Sequence, residues 1–303
     1  MFEHVAVGCD GGREGRDAAV LGAALAAASS ARLTLIGVVC PPLFPVAGVS
    51  DRNTLRAATT RALRHDRDLL ACDARIDAIT GTSVPRALHR WAARAQADLV
   101  VVGSSASARP GRVAIGRRGR QLFHHAPFAL AVAARGLHEQ DGELRTIGVG
   151  YDGAPESEAA LTVAGELAAA ERARLVVRRV VEDTSGPFGL EGSPLLQGWS
   201  EMLEQERQVS LTEAQNAAAR LDVIPEVSVT IGDPGYELRA FSDAVDLLVV
   251  GSRRWGAVAR LVSGAVGETL VADAGCSIVI VPRPSRVRRA RTGQRRQRST
   301  PLT

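Results

Sequence analysis

Lysine is absent from the 303 residues, so every one of the 37 basic side chains is an arginine. That alone excludes a P-loop, whose phosphate-contacting position must be lysine. Aromatic residues are scarce at 4%, which leaves Val, Leu, Ile and Ala to build the cores. The four cysteines (Cys9, Cys40, Cys72, Cys276) show no CxxC spacing and have no histidine at ligand distance in sequence, which excludes the common zinc frameworks. They are expected to be buried thiols in a reducing compartment. No apolar run is long enough for a membrane span. The run Ala18 to Ala28 follows Glu14 and Asp17, lacks a basic leader and recurs near Ala159 to Ala170, so it reads as a helix and not as a signal segment. A cytoplasmic location is the expectation. Catalytic patterns are missing too: there is no G-x-S-x-G elbow and no H-E-x-x-H. His124 and His125 precede Ala126-Pro127 at the end of an expected helix, where a histidine can cap free carbonyls. His89 has no evident partner. The expectation is a protein that is not an enzyme.

What is present describes a globular chain, with 46% hydrophobic and 23% charged residues. Its formal charge is misleading. Eight arginines lie between Arg283 and Arg298, and removing them leaves 29 against 33 acids, a body of about −4. Attraction to nucleic acid or an anionic surface therefore belongs to the tail from 283 to 303, which lacks hydrophobic periodicity and is expected to be disordered.

The sequence repeats itself. His4-Val-Ala-Val-Gly-Cys-Asp10-Gly11 matches Thr146-Ile-Gly-Val-Gly-Tyr-Asp152-Gly153 at an offset of 142, and Arg32 to Val39 matches Arg174 to Val181. Ala97-Asp98-Leu-Val-Val-Val-Gly103-Ser104 matches Val245-Asp246-Leu-Leu-Val-Val-Gly251-Ser252 at an offset of 148. Ala126 to Val132 is read against Gly275 to Val281 with a one-residue slip. Two copies result, 1–136 and 143–282, with a polar linker between them. In each, short apolar runs alternate with Ala/Leu-rich helical stretches, which implies an α/β domain with a five-stranded parallel sheet and helices on both faces. Strands are predicted near 3–8, 32–39, 74–80, 98–103 and 128–133, then 145–150, 174–181, 223–231, 246–251 and 277–281. Segments 41–49 and 183–198 read as surface loops.

Ligands of such sheets bind beyond the C-terminal strand ends, where strand order reverses. The first strand of each copy ends in Asp10-Gly11 or Asp152-Gly153. Such an Asp can accept hydrogen bonds from a ribose or a base edge, or it can close an Asx turn. The fourth strands end in Gly103 and Gly251, each followed by a loop to Gly116 or Gly264. Those glycines suit a phosphate cradle at a helix N-terminus, or simply a tight turn.

Strand–Asp-Gly, then VVGS, a loop of a dozen residues, a glycine and a last apolar strand resembles the universal stress protein family over nearly all of 1–282. The clearest stretch runs from Val249 to Val266. The resemblance implies a tandem, Rossmann-like (adenine nucleotide alpha hydrolase-like) fold and a non-catalytic stress-response role. It also implies a site for ATP, with Mg only if ATP binds. The glycines would wrap the phosphates, while Asp152 and the backbone of Val180 on the second strand hold the adenosine. The ATP-binding pattern of the family is Gly, two residues, Gly, nine residues, Gly, Ser/Thr, and neither copy keeps it whole. Gly251 and Gly264 match, but Arg254 and Ala265 replace the other two; in the first copy Gly103 and Gly116 match, with Ala106 and Arg117 in the gaps. The arginines can pair with phosphate or stand solvated, and Trp255 can stack on a base or cover the loop. The second copy carries the nucleotide expectation. A scaffold without nucleotide and a slow ATPase are the alternatives. The resemblance further implies that the last strands, Phe128 to Ala133 and Ser277 to Val281, meet in an intrachain pseudo-dimer, with homodimerisation open.

Overall fold

The computed structural model describes residues 1–41, 51–116, 121–122, 126–183, 194–252 and 266–282. Arg254, Trp255, Gly264, Ala265, Arg117, His124, His125 and the arginine-rich tail lie outside them.

The first copy runs β1 (His4–Gly8), α1 (Arg13–Ser29), β2 (Arg32–Val39), α2 (Arg52–Leu69), β3 (Ala74–Thr80), α3 (Val84–Ala95), β4 (Leu99–Gly103) and β5 (Ala129–Ala133). The second runs β6 (Thr146–Gly150), α4 (Pro155–Glu171), β7 (Arg174–Glu182), α5 (Pro194–Ala218), β8 (Glu226–Gly232), α6 (Pro234–Phe241), β9 (Leu247–Gly251), α7 (Val266–Asp273) and β10 (Ser277–Val281). Helix α5 takes up the last five residues of the segment read as loop, and β8 starts three residues later than expected, after Pro225.

The strands form one ten-stranded sheet in the order β3-β2-β1-β4-β5-β10-β9-β6-β7-β8. Each half is parallel throughout; β5 and β10 alone pair antiparallel, with Ala131 opposite Val279. The five-stranded sheets expected of each copy are thus fused at their last strands. The register also corrects the sequence alignment. Leu99 faces Ala129 in β4–β5 and Leu247 faces Ser277 in β9–β10, so the offset of 148 runs on through the last strand without a slip. At that offset Ala131 and Val279 are equivalent, and the pseudo-two-fold axis passes between them.

Alternation along the strands sends side chains to two cores. Val5, Val7, Leu99 and Val101 join Ile147, Val149, Leu247 and Val249 beneath α1 and α4, while Ala6, Val100, Leu130, Ile278 and Ile280 pack on the α3, α6 and α7 side. Both cores span both copies. Asp98 and Asp246 fasten the start of each first strand: Asp98 accepts from the N–H groups of Glu3 and His4 at 2.8 and 2.9 Å, and Asp246 from Arg145 and Thr146 at 2.9 and 2.7 Å. The thiols are not uniformly buried as expected, since Cys9 and Cys276 are buried while Cys40 is exposed and Cys72 half-buried; all four are free. Among the described residues no helix is long and apolar enough to cross a membrane.

Candidate functional site

Strand order reverses between β1 and β4 in the first copy and between β6 and β9 in the second. In the first copy a cleft of about 630 Å³ opens there, within the range of small-ligand pockets. One wall is apolar: Ile36 and Val38 from β2, Leu88 from α3 and Val102 from β4. Asp10, Glu14, Gly103, Ser104 and Gly116 complete the lining. Three residues singled out in the sequence, Asp10, Gly103 and Gly116, therefore share one cleft. Its apolar wall went unnoticed in sequence, although Val38 is the repeat partner of Val180 and Ile36 stands two residues before it.

Asp10 is exposed and closes an Asx turn, its Oδ1 accepting from the Gly12 N–H at 2.9 Å. Gly11 and Gly153 both take positive φ, +82° and +78°, which accounts for the glycine after each Asp. The two aspartates differ in what lies above them. Asp152 Oδ1 accepts from the Ala154 N–H at 3.0 Å and from the Ser157 hydroxyl at 2.7 Å. The first-copy equivalent of Ser157 is Gly15, where even a Cβ would stand 2.8 Å from Asp10 Oδ1. A hydroxyl thus occupies the second-copy carboxylate, and a bare glycine leaves the first-copy one open.

The apolar wall is broken in the second copy as well. The equivalent of Ile36 is Arg178, whose guanidinium carbon lies 4.7 Å from the centre of the Phe241 ring, a cation–π distance. Its Nε is buried without a partner among the described residues. Val180 sits two residues on, paired in register with Thr230, and Gly251 ends β9. The rest of that loop, with Arg254, Gly264 and Ala265, is outside the described residues.

Gly103 and Gly251 owe their glycine to packing. A Cβ on Gly103 would meet the Glu14 carbonyl oxygen at 2.0 Å, and one on Gly251 the backbone of Glu156 and Ser157 at 2.7 and 2.8 Å. The fourth strand ends against the first helical turn, with no room for a side chain. Ser104 then turns back to bond the last strand, its Oγ donating to the Ala133 carbonyl at 2.8 Å.

The loop 104–116 is folded onto itself and onto the other copy. The N–H of Ser105 donates to Ala114, that of Gly111 to Arg135, that of Val113 to Ala274 and that of Ile115 to Val271. Arg109 forms a two-pronged bond to Asp273 at 2.7 and 2.8 Å, Arg112 reaches Asp243 at 3.0 Å, and Arg239 joins Asp273 at 3.0 Å. Burial pushes the Asp273 carboxyl upward, but the three guanidiniums outweigh it and hold it below the usual range. Gly116 is the open end of the loop, since among the described residues a Cβ there would meet nothing closer than Ser105 Oγ at 3.9 Å.

Other titratable groups are structural. His4 donates from Nδ1 to the Ala95 carbonyl at 3.2 Å, which leaves Nε2 to accept from the Thr34 hydroxyl at 3.0 Å. Burial lowers its pKa. His89 packs on Phe128 with ring centres 5.3 Å apart, and its Nε2 is buried without a partner among the described residues. Burial raises the Cys9 and Cys276 thiols well above their ordinary value, so both are inert at neutral pH. Among the described residues, no three His, Cys, Asp or Glu side chains are grouped so as to hold a metal ion.

Known proteins agree with this layout. The profile of the Universal stress protein family matches residues 1–133 and again 143–282. Universal stress protein Rv2005c of Mycobacterium tuberculosis is 27% identical over 298 residues, covering 91% of this chain and 96% of its own. Universal stress protein Rv2623 of the same organism is 31% identical over 198 residues, 62% of each chain. Among solved structures, a universal stress protein from Archaeoglobus fulgidus superposes with a TM-score of 0.61 at 12% identity, covering 93% of this chain and 97% of that one. A functionally unknown protein, PA1789 of Pseudomonas aeruginosa, gives 0.65 at 11% identity with 93% of each chain covered; at such identities the likeness concerns the fold. Two profile matches in tandem, in a sheet whose halves share one strand order, place the chain in the universal stress protein family.

Proposed function

We propose that the protein is a non-catalytic universal stress protein that binds an adenine nucleotide, and that the first copy is the binding half. The observation that carries this reading is the first-copy cleft, which brings apolar side chains and an open carboxylate together at the strand-order reversal. A base laid against Ile36, Val38 and Leu88 loses apolar surface to the protein, while Asp10 accepts from ribose hydroxyls. Phosphates would leave past Gly116, the open end of the loop. The second copy is less suited, because Ser157 occupies its aspartate and Arg178 stands where the base would lie.

Titration of the full chain with adenosine, AMP, ADP and ATP tests this. Saturable binding is expected, weakened about 10- to 100-fold by Asp10→Ala, the loss of a charged hydrogen bond. Leu88→Arg should also weaken it. No heat of binding with any of the four, and no nucleotide carried through purification, would reject the reading. A scaffold with empty clefts is the second reading, favoured by one observation: the N–H groups of Ser105, Gly111, Val113 and Ile115 are already given to protein carbonyls.

A further inference from the structure

Strands β3 and β8 end the sheet, and α2 and α5 pack over those two ends. The helices occupy equivalent places but differ in charge. On α2, Asn53, Arg56, Ala57, Thr60, Arg61 and Arg64 recur at helical spacing and line a shallow groove of about 470 Å³. Ala57 and Thr60 contribute short side chains between the arginines. Arg16 and Arg67 nearby are paired with Asp66 and Asp68, whereas Arg56, Arg61 and Arg64 have no ion-pair partner among the described residues.

Helix α5 carries Glu201, Glu204, Glu206 and Glu213 against a single Arg207. Glu204 is held by Arg207 and Glu213 by Arg179, while Glu201 and Glu206 have no ion-pair partner among the described residues. Beside them Met202 and Val209 are 46% and 53% exposed, and Ile224 beyond the helix is 99% exposed. With Leu69 at the end of α2, four of the seven exposed large hydrophobics among the described residues lie at these two ends of the molecule. Exposed apolar groups collected on one face mark a contact surface. Met202 and Val209 are seven residues apart, as are Ala57 and Arg64, about 10.5 Å along a helix. Apolar knobs between carboxylates thus match, in spacing and charge, a groove between arginines.

We infer that the arginine face of α2 docks on the acidic, Met202–Val209 face of α5 in a second copy of this chain. The two faces are different, so two chains related by a two-fold make the contact twice, and chains added in one sense make it repeatedly. The acidic face has a rival occupant in the eight arginines between 283 and 298, and the test separates the two.

Sedimentation velocity of the full chain at low ionic strength and in about 0.5 M salt reads the contact. Association at low salt that falls away at high salt is expected. Arg56→Glu, Arg61→Glu and Arg64→Glu together should weaken it about 10- to 100-fold, as should Glu201→Arg with Glu206→Arg. An equimolar mixture of the two charge-reversed chains should regain association, since the unaltered α2 of one meets the unaltered α5 of the other and the two reversed faces match, which also shows that both are folded. Should the triple reversal not fold, glutamine at the same three positions gives the same reading. A wild-type chain that is monomeric at about 100 μM in low salt, a reversal without effect, or a mixture that does not recover overturns the inference. Ending the chain at Pro282 should leave association intact. If that truncation abolishes it, the tail and not α2 is the partner of α5, and the inference falls.

Discussion

At Gly103 the Glu14 carbonyl stands 2.0 Å from where a Cβ would be, while at Gly116 the nearest atom among the described residues is 3.9 Å away. Two glycines of one sequence pattern therefore have unlike reasons to be glycine. Gly103→Ala should lower stability by about 1–3 kcal/mol or more, because backbone faces backbone and cannot yield. Gly116→Ala should stay within about 0.5 kcal/mol of wild type. Thermal melting of the two variants checks the contrast. His4 supplies a pH dependence at the same scale. Its folded pKa lies below the unfolded value of about 6.5, so the unfolded chain takes up the proton first. Stability is then fully present above that pH and is lost as pH falls through the lowered folded value. A melting series from pH 7.5 to about 5 should show less of this loss in His4→Gln than in wild type.

The linker between the copies shows how one element is fastened. Asp17 is fully buried in α1, accepts from the N–H groups of Gly136 and His138 at 2.9 Å each, and meets His138 Nδ1 at 2.5 Å. Its repeat partner on α4 is Ala159. Asp17→Ala leaves two N–H groups without their acceptor and should cost about 1–3 kcal/mol for each that stays dry. Faster proteolysis around residues 136–143 would be its first sign. The central strands were legible in sequence because they are short apolar runs buried on both faces, whereas the edge strands β3 and β8 carry polar residues and are only partly buried. Helix α5 was less legible, since Gly198, Pro194 and Ser193 read as breakers while Leu203, Ser210, Ala214 and Ala217 still find the core. The slip at the last strand came from matching Pro127 to Cys276, where the β4–β5 and β9–β10 registers match Phe128 to it. At the site, Asp10, Gly103 and Gly116 were legible as a pattern. The apolar wall was not, since Ile36 and Leu88 look like any core residue until the sheet brings them together.

Taken whole, the molecule is one sheet whose two halves are joined by the five-residue strands β5 and β10 and by a charge cluster. Asp273, held by Arg109, Arg112 and Arg239, has its carboxyl depressed, so its contribution is present above the usual carboxylate range and is lost as pH falls through the lowered value. Arg109 and Arg112 belong to the loop that borders the first cleft, while Asp243 and Asp273 belong to the second copy. Anything that reshapes that loop therefore acts on the join. The join also dictates what each half does alone. In β5, residues Ala129 to Ala133 are all buried, and the strand's outer edge is covered only by β10. Residues 1–136 expressed by themselves would expose that edge, an apolar strand with unpaired N–H and C=O groups. The axis through Ala131 and Val279 makes one remedy available: β5 can pair antiparallel with its own copy at Ala131, in the place of β10. The isolated half should accordingly run as a dimer or aggregate in sedimentation. Ala131→Pro, which removes a ladder donor and distorts the strand, should abolish a specific dimer. A soluble monomeric half with native helix content would mean that β5 is protected by something other than its twin strand.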